Sequence, residues 1–386
     1  MTPRELVLAA GRHETVDRVP VTPYMGNYGA ALVGVPIDAY CTDAATMANA
    51  QVEAQQLVGQ DMLVAQSDGY YMAEGLGMKT RRRPNATPAP VAWPITDLAQ
   101  IDELEVPDPR RDGRMPVYLD AIRRLREAAG NELAVRACGT GAFSLAGHML
   151  GPDAFVMALA LLDVEPDPTA ERRLRRLMEI TTETTVRFAL AAVEAGADVV
   201  MDGDSLASLD MISPALYEKW AWPSEREFFH LVRPAAEAHG ALTLLHICGG
   251  TTPILPLMAR TSAHILELDW KVGLAKARAT VEEEARESSA VPSPPALMGN
   301  LDPSALLLQG TAEEVREAAT AAILTGSRTS PGTGPAGTGF LLGSGCEVAP
   351  LTPVENMRAM VDTAQGADGP DRGVHDAGRR GRAQGG

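Results

Sequence analysis

The run Leu244-Leu245-His246-Ile247-Cys248-Gly249-Gly250 places an imidazole and a thiol two residues apart at the end of an apolar stretch, just before a Gly-Gly turn. On an extended chain alternate residues face the same side, so both groups can aim at one point. One imidazole and one thiolate can share a tetrahedral ion, but two ligands do not make a site. A third stands in Gly343-Ser344-Gly345-Cys346, where the glycines let the backbone bend so that the sulfur reaches inward. A His-Cys-Cys set leaves the fourth tetrahedral position open, which marks a catalytic rather than a structural zinc. Two thiolates neutralise the ion's charge, and a further thiol that coordinates loses its proton near neutral pH while staying electron-rich enough to attack an alkyl carbon. That chemistry suits alkyl transfer to sulfur better than peptide hydrolysis. Singly, each residue has a bland explanation, since buried Cys and strand-end His are common in cores. Together, at strand ends on one face, His246, Cys248 and Cys346 read as a zinc site. Cys138 and Cys41 lack a partner at ligand spacing and read as core.

Positioning three such groups requires a repeating scaffold. Eight short apolar runs recur: Val19–Tyr24, Asp61–Gln66, Leu133–Cys138, Asp198–Asp202, Leu242–Cys248, Ile265–Asp269, Ala296–Asn300 and Phe340–Ser344. Helical patterns at Pro116–Ala129, Thr169–Ala195, Pro223–His239, Ala312–Leu324 and Pro353–Thr363 alternate with them. Strands alternating with helices imply a parallel sheet with right-handed crossovers, and eight units imply an α/β fold of the (β/α)8 TIM-barrel type. The expected organisation is a single barrel domain over residues 1–365, with a long insertion between strands two and three (Gly69–Asp108) folding over the barrel mouth. Glu284–Pro295 and Ser327–Gly339 read as surface insertions, and 366–386 as a disordered tail. Thr352-Pro353-Val354-Glu355 spells a capping box, so a helix is expected to begin just after Cys346. Cys346 then lies in a strand-to-helix loop on the active-site face of the barrel.

The chain has 34 Lys and Arg against 50 Asp and Glu, a net charge of −16, which argues against nucleic acid or anionic membrane as partner. No stretch approaches ~18 uninterrupted apolar residues, so no membrane span is expected. The N-terminal residues do not read as a secretory signal, and four Cys in 386 residues make a poor disulfide framework. The cytoplasm, where thiols stay free to bind metal, is the expected compartment.

Several motifs along the chain resemble the uroporphyrinogen decarboxylase superfamily. They are Asp17-Arg18-Val19-Pro20-Val21, Ser67-Asp68 with Gly75-Leu76-Gly77-Met78, Leu104-Glu105-Val106-Pro107-Asp108, Leu268-Asp269-Trp270-Lys271-Val272, Gly299-Asn300-Leu301-Asp302-Pro303, and Gly345-Cys346 leading to Thr352-Pro353-Val354-Glu355-Asn356. The His246, Cys248 and Cys346 set resembles its zinc-containing, corrinoid-dependent methyltransferase branch. The resemblance implies a barrel that receives a methylated corrinoid (methylcobalamin, free or on a separate corrinoid protein) above a zinc-bound small thiol or related acceptor. In-line attack on the methyl carbon would leave cob(I)alamin. It also implies an acidic fourth, displaceable zinc ligand, either Asp269 or Glu267, with Asp269 the better match. Asp68 matches an acidic position that contacts the tetrapyrrole in the decarboxylases; here it either lines the corrinoid cleft or caps a helix. His148 falls at a pocket position, and Asp202 and Asp204, ending the fourth strand, either line the pocket or cap a helix. Barrels of this kind often form homo-oligomers.

The chain departs from the decarboxylases in one respect. Their substrate bears eight carboxylates, held by an Arg-rich segment after the first strand; Thr22–Tyr28 here contains no Arg or Lys. Metal-free uroporphyrinogen decarboxylation is the alternative activity, and a corrinoid- or metal-sequestering module the non-catalytic one. No corrinoid-binding domain is visible in the sequence, so the corrinoid is expected from outside the chain.

Overall fold

In the computed structural model, residues 1–288, 293–327 and 339–366 are described. The expectations for Ser327–Gly339, for the tail and for part of Glu284–Pro295 fall outside them. The first residues of that last stretch are not an insertion but the end of helix Leu274–Glu287.

The strands are β1 (Met62–Ala65), β2 (Lys79–Arg83), β3 (Ala86–Ala92), β4 (Ala134–Thr140), β5 (Val199–Gly203), β6 (Leu242–Ile247), β7 (Ile265–Leu268), β8 (Ala296–Leu301) and β9 (Phe340–Ser344). Seven form one parallel sheet in the order β1-β4-β5-β6-β7-β8-β9, while β2 and β3 form a separate antiparallel hairpin. The curled sheet and its outer helices match a TIM-like barrel.

The sheet has seven strands where the sequence suggested eight. The first apolar run makes a single parallel bridge, Val21 to Leu342. Pro20 and the residue before β1 explain how this short piece still joins the sheet's two edges. Leu342 N donates to Pro20 O at 2.9 Å, Thr22 N to Leu342 O at 2.7 Å, and Asp61 N to Val21 O at 2.8 Å. Arg18 grips Asp61 through both guanidinium nitrogens at 2.7 and 2.6 Å, and Val21 N adds a bond to Asp61 Oδ2 at 2.7 Å. Pro20 has no N–H to offer a ladder, which keeps this segment from extending as a strand.

Strand alternation divides the core in two. Val64, Ala134, Cys138, Val199, Met201, Leu244, Ile265, Met298 and Leu341 face the interior, together with Leu6–Ala10 of helix Pro3–Gly11. That helix plugs the end of the sheet opposite the cysteines and begins with a full capping box between Thr2 and Glu5. The intervening residues, among them Leu63, Val135, Val200, Leu245, Leu266 and Leu342, pack outward against the helices.

Gly69–Asp108 is more structured than a plain loop: it holds helix Tyr71–Gly75, the β2–β3 hairpin and a 3-10 turn at Leu98–Glu103. Among the described residues no single helix is long and apolar enough to cross a membrane.

Candidate metal centre

His246, next to last in β6, faces inward, and Cys248 follows two residues on, as the alternation required. Gly249 has φ of +84°, and a Cβ there would meet Ser208 Oγ at 2.4 Å, so only glycine lets the chain turn away beneath Cys248. Gly345 plays the same part below Cys346, where a Cβ would lie 2.4 Å from Trp270 N. The two turns bring the sulfurs together. Cys248 Sγ is 3.4 Å from Cys346 Sγ and 3.1 Å from His246 Nε2, and the three donor atoms all lie within 4.8 Å of one another.

For a tetrahedral zinc with bonds of ~2.3 Å to sulfur and ~2.0 Å to nitrogen, sulfurs stand about 3.8 Å apart and sulfur and nitrogen about 3.5 Å. The donors need to open by only a few tenths of an ångström to hold the ion. The donor set and its spacing therefore fit zinc.

Behind the imidazole lies a second group of residues. Glu267, fully buried on β7, sets Oε2 at 3.2 Å from His246 Nδ1 and pairs with the fully buried Arg136 of β4 at 2.7 and 2.5 Å. The Arg136 guanidinium lies over the Tyr24 ring at 4.5 Å. Burial works against charge on Glu267, yet Arg136 and His246 outweigh it and hold the carboxyl below its ordinary range. Burial likewise opposes charge on His246, but Glu267 and Cys346 raise its pKa. The hydrogen bond with Cys346 lowers the Cys248 thiol, while the same contact and burial raise Cys346. A carboxylate behind a ligating imidazole fixes its tautomer and strengthens it as a donor.

The three donors open on a cavity of about 360 Å³, also lined by Tyr24, Gln66, Asp68, His148, Ser205 and Glu347. Asp68 both lines this cavity and closes a turn: it accepts from Tyr70 N at 2.9 Å while Arg114 holds it through two bonds of 2.8 and 2.9 Å. His148 also lines the cavity, beside the Tyr70 ring, with burial pushing its pKa down to about 4. Thr87 of β3 reaches the same cavity, so part of the hairpin stands at the mouth.

Other expected residues lie elsewhere. Asp202 is not in the cavity. Its neighbours Met201 and Gly203 line it, so alternation turns Asp202 outward, where burial and then Asp204 raise its pKa well above the carboxylate range. Asp204 caps helix Ala142–Leu150, accepting from Phe143 N and Ser144 N at 3.2 and 2.7 Å. Asp269 accepts from Lys271 N at 2.9 Å and does not belong to the group of donors within 4.8 Å. Glu267 sits behind His246. The capping box expected at Thr352 does not form: helix Val354–Gln365 starts from Pro353 without a side-chain cap, and Thr352 Oγ1 is buried without a partner. Sequence reading missed Arg136 and Glu347. Glu347 accepts from Asn27 N at 2.7 Å, and burial pushes its carboxyl up to about 7. Its one signal was its place next to Cys346.

The motifs that carry the resemblance also find jobs. Asn300 Nδ2 donates to Asp269 O and Val272 O at 3.0 and 2.7 Å, tying the loop after β7 to β8. Asn356 Nδ2 donates to Leu307 O and Gly310 O at 2.9 and 2.8 Å, holding the last helix in place beyond Cys346.

Comparison with known proteins adds to this geometry. The family model for "Uroporphyrinogen decarboxylase (URO-D)" matches residues 2–367. A methylcobamide:CoM methyltransferase, MtbA of Methanosarcina mazei, is 29% identical over 369 residues, covering 94% of this chain and 98% of its own. A uroporphyrinogen decarboxylase of Trichlorobacter lovleyi is 26% identical, covering 90% of this chain and 94% of its own. A solved structure described as a methyltransferase from Methanosarcina mazei superposes with a TM-score of 0.78 at 26% identity, covering 95% of this chain and 98% of that one.

Proposed function

Since the chain belongs to the uroporphyrinogen decarboxylase family, we propose that within it this protein is a zinc-dependent enzyme that moves a methyl group from a methylated corrinoid to a small thiol. The observation that carries the reading is the convergence of His246 Nε2, Cys248 Sγ and Cys346 Sγ at the floor of a cavity. Residues 1–365 are read as one (β/α)8 barrel in which Pro20–Thr22 takes the first strand's place, working in the cytoplasm.

Zinc held by the three residues would lower the pKa of the incoming thiol while leaving its sulfur nucleophilic. Everything else falls to the chain. His246 and Cys248 hold their direction because β6 and Gly249 fix their backbone, and Glu267 fixes the imidazole so that Nε2 faces the cavity. His246 is buried and the two cysteines are half-buried, so a corrin resting on the mouth would complete the shielding of the reacting sulfur. A volume of about 360 Å³ takes a small thiol and a methyl group, but a corrin ring has to rest across the opening. The methyl carbon then faces the sulfur in line; the sulfur–carbon bond forms as the carbon–cobalt bond breaks, and the electron pair stays on cobalt. The corrinoid comes free or on a separate protein.

Decarboxylation fits less well. A porphyrinogen with eight carboxylates needs cations, and among the described residues that line the cavity none is Lys or Arg.

Metal analysis tests the reading. The purified chain is expected to carry about one zinc. Cys248→Ser and Cys346→Ser are expected to lose it, and with it methyl transfer from methylcobalamin to thiols. A protein that stays active after its zinc is removed would overturn the assignment.

A further inference from the structure

The relatives named for CoM act, by that name, on a thiol with a permanently anionic sulfonate, and the cavity here is built against such a group. Two guanidiniums come near it, and both are committed. Arg114 gives Nη1 and Nη2 to Asp68, and Arg136 gives Nη1 and Nη2 to Glu267. Three turns or helix starts around the cavity carry N–H groups that would suit an anion, and at each one or two of them are taken by one of the chain's own carboxyl groups. Glu347 takes Asn27 N at the start of helix Gly26–Leu32. Asp68 takes Tyr70 N ahead of helix Tyr71–Gly75. Asp204 takes Phe143 N and Ser144 N at the start of helix Ala142–Leu150.

Three of the hydroxyls around the cavity are spent in the same way. Ser67 Oγ donates to Asn27 Oδ1 at 2.8 Å, Thr140 Oγ1 to Gly69 O at 3.0 Å and Ser144 Oγ to Asp204 Oδ1 at 2.6 Å. Among the cavity-lining residues, the buried side-chain atoms without a hydrogen-bond partner are Gln66 Oε1, His148 Nδ1 and His246 Nδ1. The last faces Glu267. His148 Nδ1 belongs to an imidazole that burial keeps neutral, so it can accept a hydrogen bond in one tautomer and donate one in the other. The lining therefore holds two carboxyl groups, Asp68 and Glu347, an unpartnered amide oxygen and no Lys or Arg, on a chain whose net charge is −16.

We propose that the methyl acceptor is a small thiol whose other end carries no negative charge and donates hydrogen bonds, such as a hydroxyl- or ammonium-bearing thiol, and that anionic thiols are excluded. The proposal rests on the methyltransferase reading.

The test uses the zinc-loaded full chain with methylcobalamin and four thiols of similar size: cysteamine, 2-mercaptoethanol, 3-mercaptopropionate and 2-mercaptoethanesulfonate. The first two are expected to show kcat/KM at least roughly tenfold above the last two, since one unmatched charge in a partly desolvated site is worth that much. A sulfonate that reacts as well as cysteamine would overturn the proposal and leave the methyltransferase reading standing. Binding supplies a second readout. In the cobalt(II)-substituted chain, the sulfur-to-cobalt absorption band is titrated with each thiol in the absence of cobalamin. If no thiol is methylated, the methyltransferase reading fails, and the order of binding still decides the question of charge. Thr87→Lys, on the exposed hairpin at the mouth, is expected to shift the preference toward the sulfonate by roughly tenfold. Failure of that shift, together with equal binding of all four thiols, would count against the proposal.

Discussion

Glu267 uses its carboxyl in two directions at once: toward Arg136 through both oxygens and toward His246 through one. Replacing it by Gln keeps the shape but removes the charge that orients the imidazole. Zinc affinity, read by competition with a chromophoric chelator, is expected to fall about 10- to 100-fold. Arg136→Met strips a fully buried carboxylate of its partner and is expected to cost about 3–5 kcal/mol in urea unfolding. Arg136→Met with Glu267→Leu removes both charges and is expected to be less destabilised than Arg136→Met alone. At this scale the sequence was legible where a period of two decided it: His246 and Cys248 share a face on any extended chain. It was not legible at Asp202, because nothing local says which face a strand-end residue takes. That depends on its register with β6, where Gly203 pairs with His246. Arg136 was hidden for a different reason. A charged residue inside a strand has no signature until its partner, on a strand far along the chain, is known.

Two stretches of this chain carry the same four-residue pattern, Thr-Pro-x-Glu, at Thr2–Glu5 and Thr352–Glu355. The first builds a capping box; the second does not. Thr352 is instead drawn into the packing beyond Cys346, its N–H bonded to Ala349 O, so its hydroxyl is turned away from the helix it precedes. Thr2→Ala is expected to cost about 1 kcal/mol, because it uncaps the helix that plugs the sheet. Thr352→Ala is expected to be within about 0.5 kcal/mol of neutral, since it removes a buried hydroxyl that has no partner. Thermal or urea unfolding of the two variants decides it. Periodicity found the strands of the parallel sheet and several long helices, because those elements bury a continuous face, but it did not single out Ala44–Val58 or Leu274–Glu287. It overcounted the first strand, whose Pro20 cannot complete a ladder. It also left out the hairpin β2–β3, whose mostly exposed residues carry no apolar alternation.

For the molecule as a whole, acidity and burial set the pH response. His148 titrates at about 4 in the fold and at an ordinary value near 6.5 when unfolded. Below about pH 6.5 the unfolded chain binds a proton that the native chain refuses, so stability falls as pH drops and the loss levels off below about pH 4. Burial lowers His264 to about 4 too, and it acts in the same direction. His148→Gln is expected to flatten this part of the profile by up to about 3 kcal/mol, measured as unfolding free energy against pH. Above about pH 6.5 the two proteins are expected to run parallel.

The bridge from Thr22 to Leu342 spans 320 residues of chain. A ribosome makes the first of these residues long before the second, so the N-terminal segment waits without its partner through most of synthesis. The cysteines are split in the same way: Cys346 emerges 98 residues after Cys248. A nascent chain halted before Cys346 therefore holds two of the three donors and an open sheet. If these three residues hold the metal as proposed, its capture waits until Cys346 has been made. Zinc uptake by chains arrested at successive lengths is a timer for that moment, and it is expected to switch on only after Cys346 has cleared the exit tunnel.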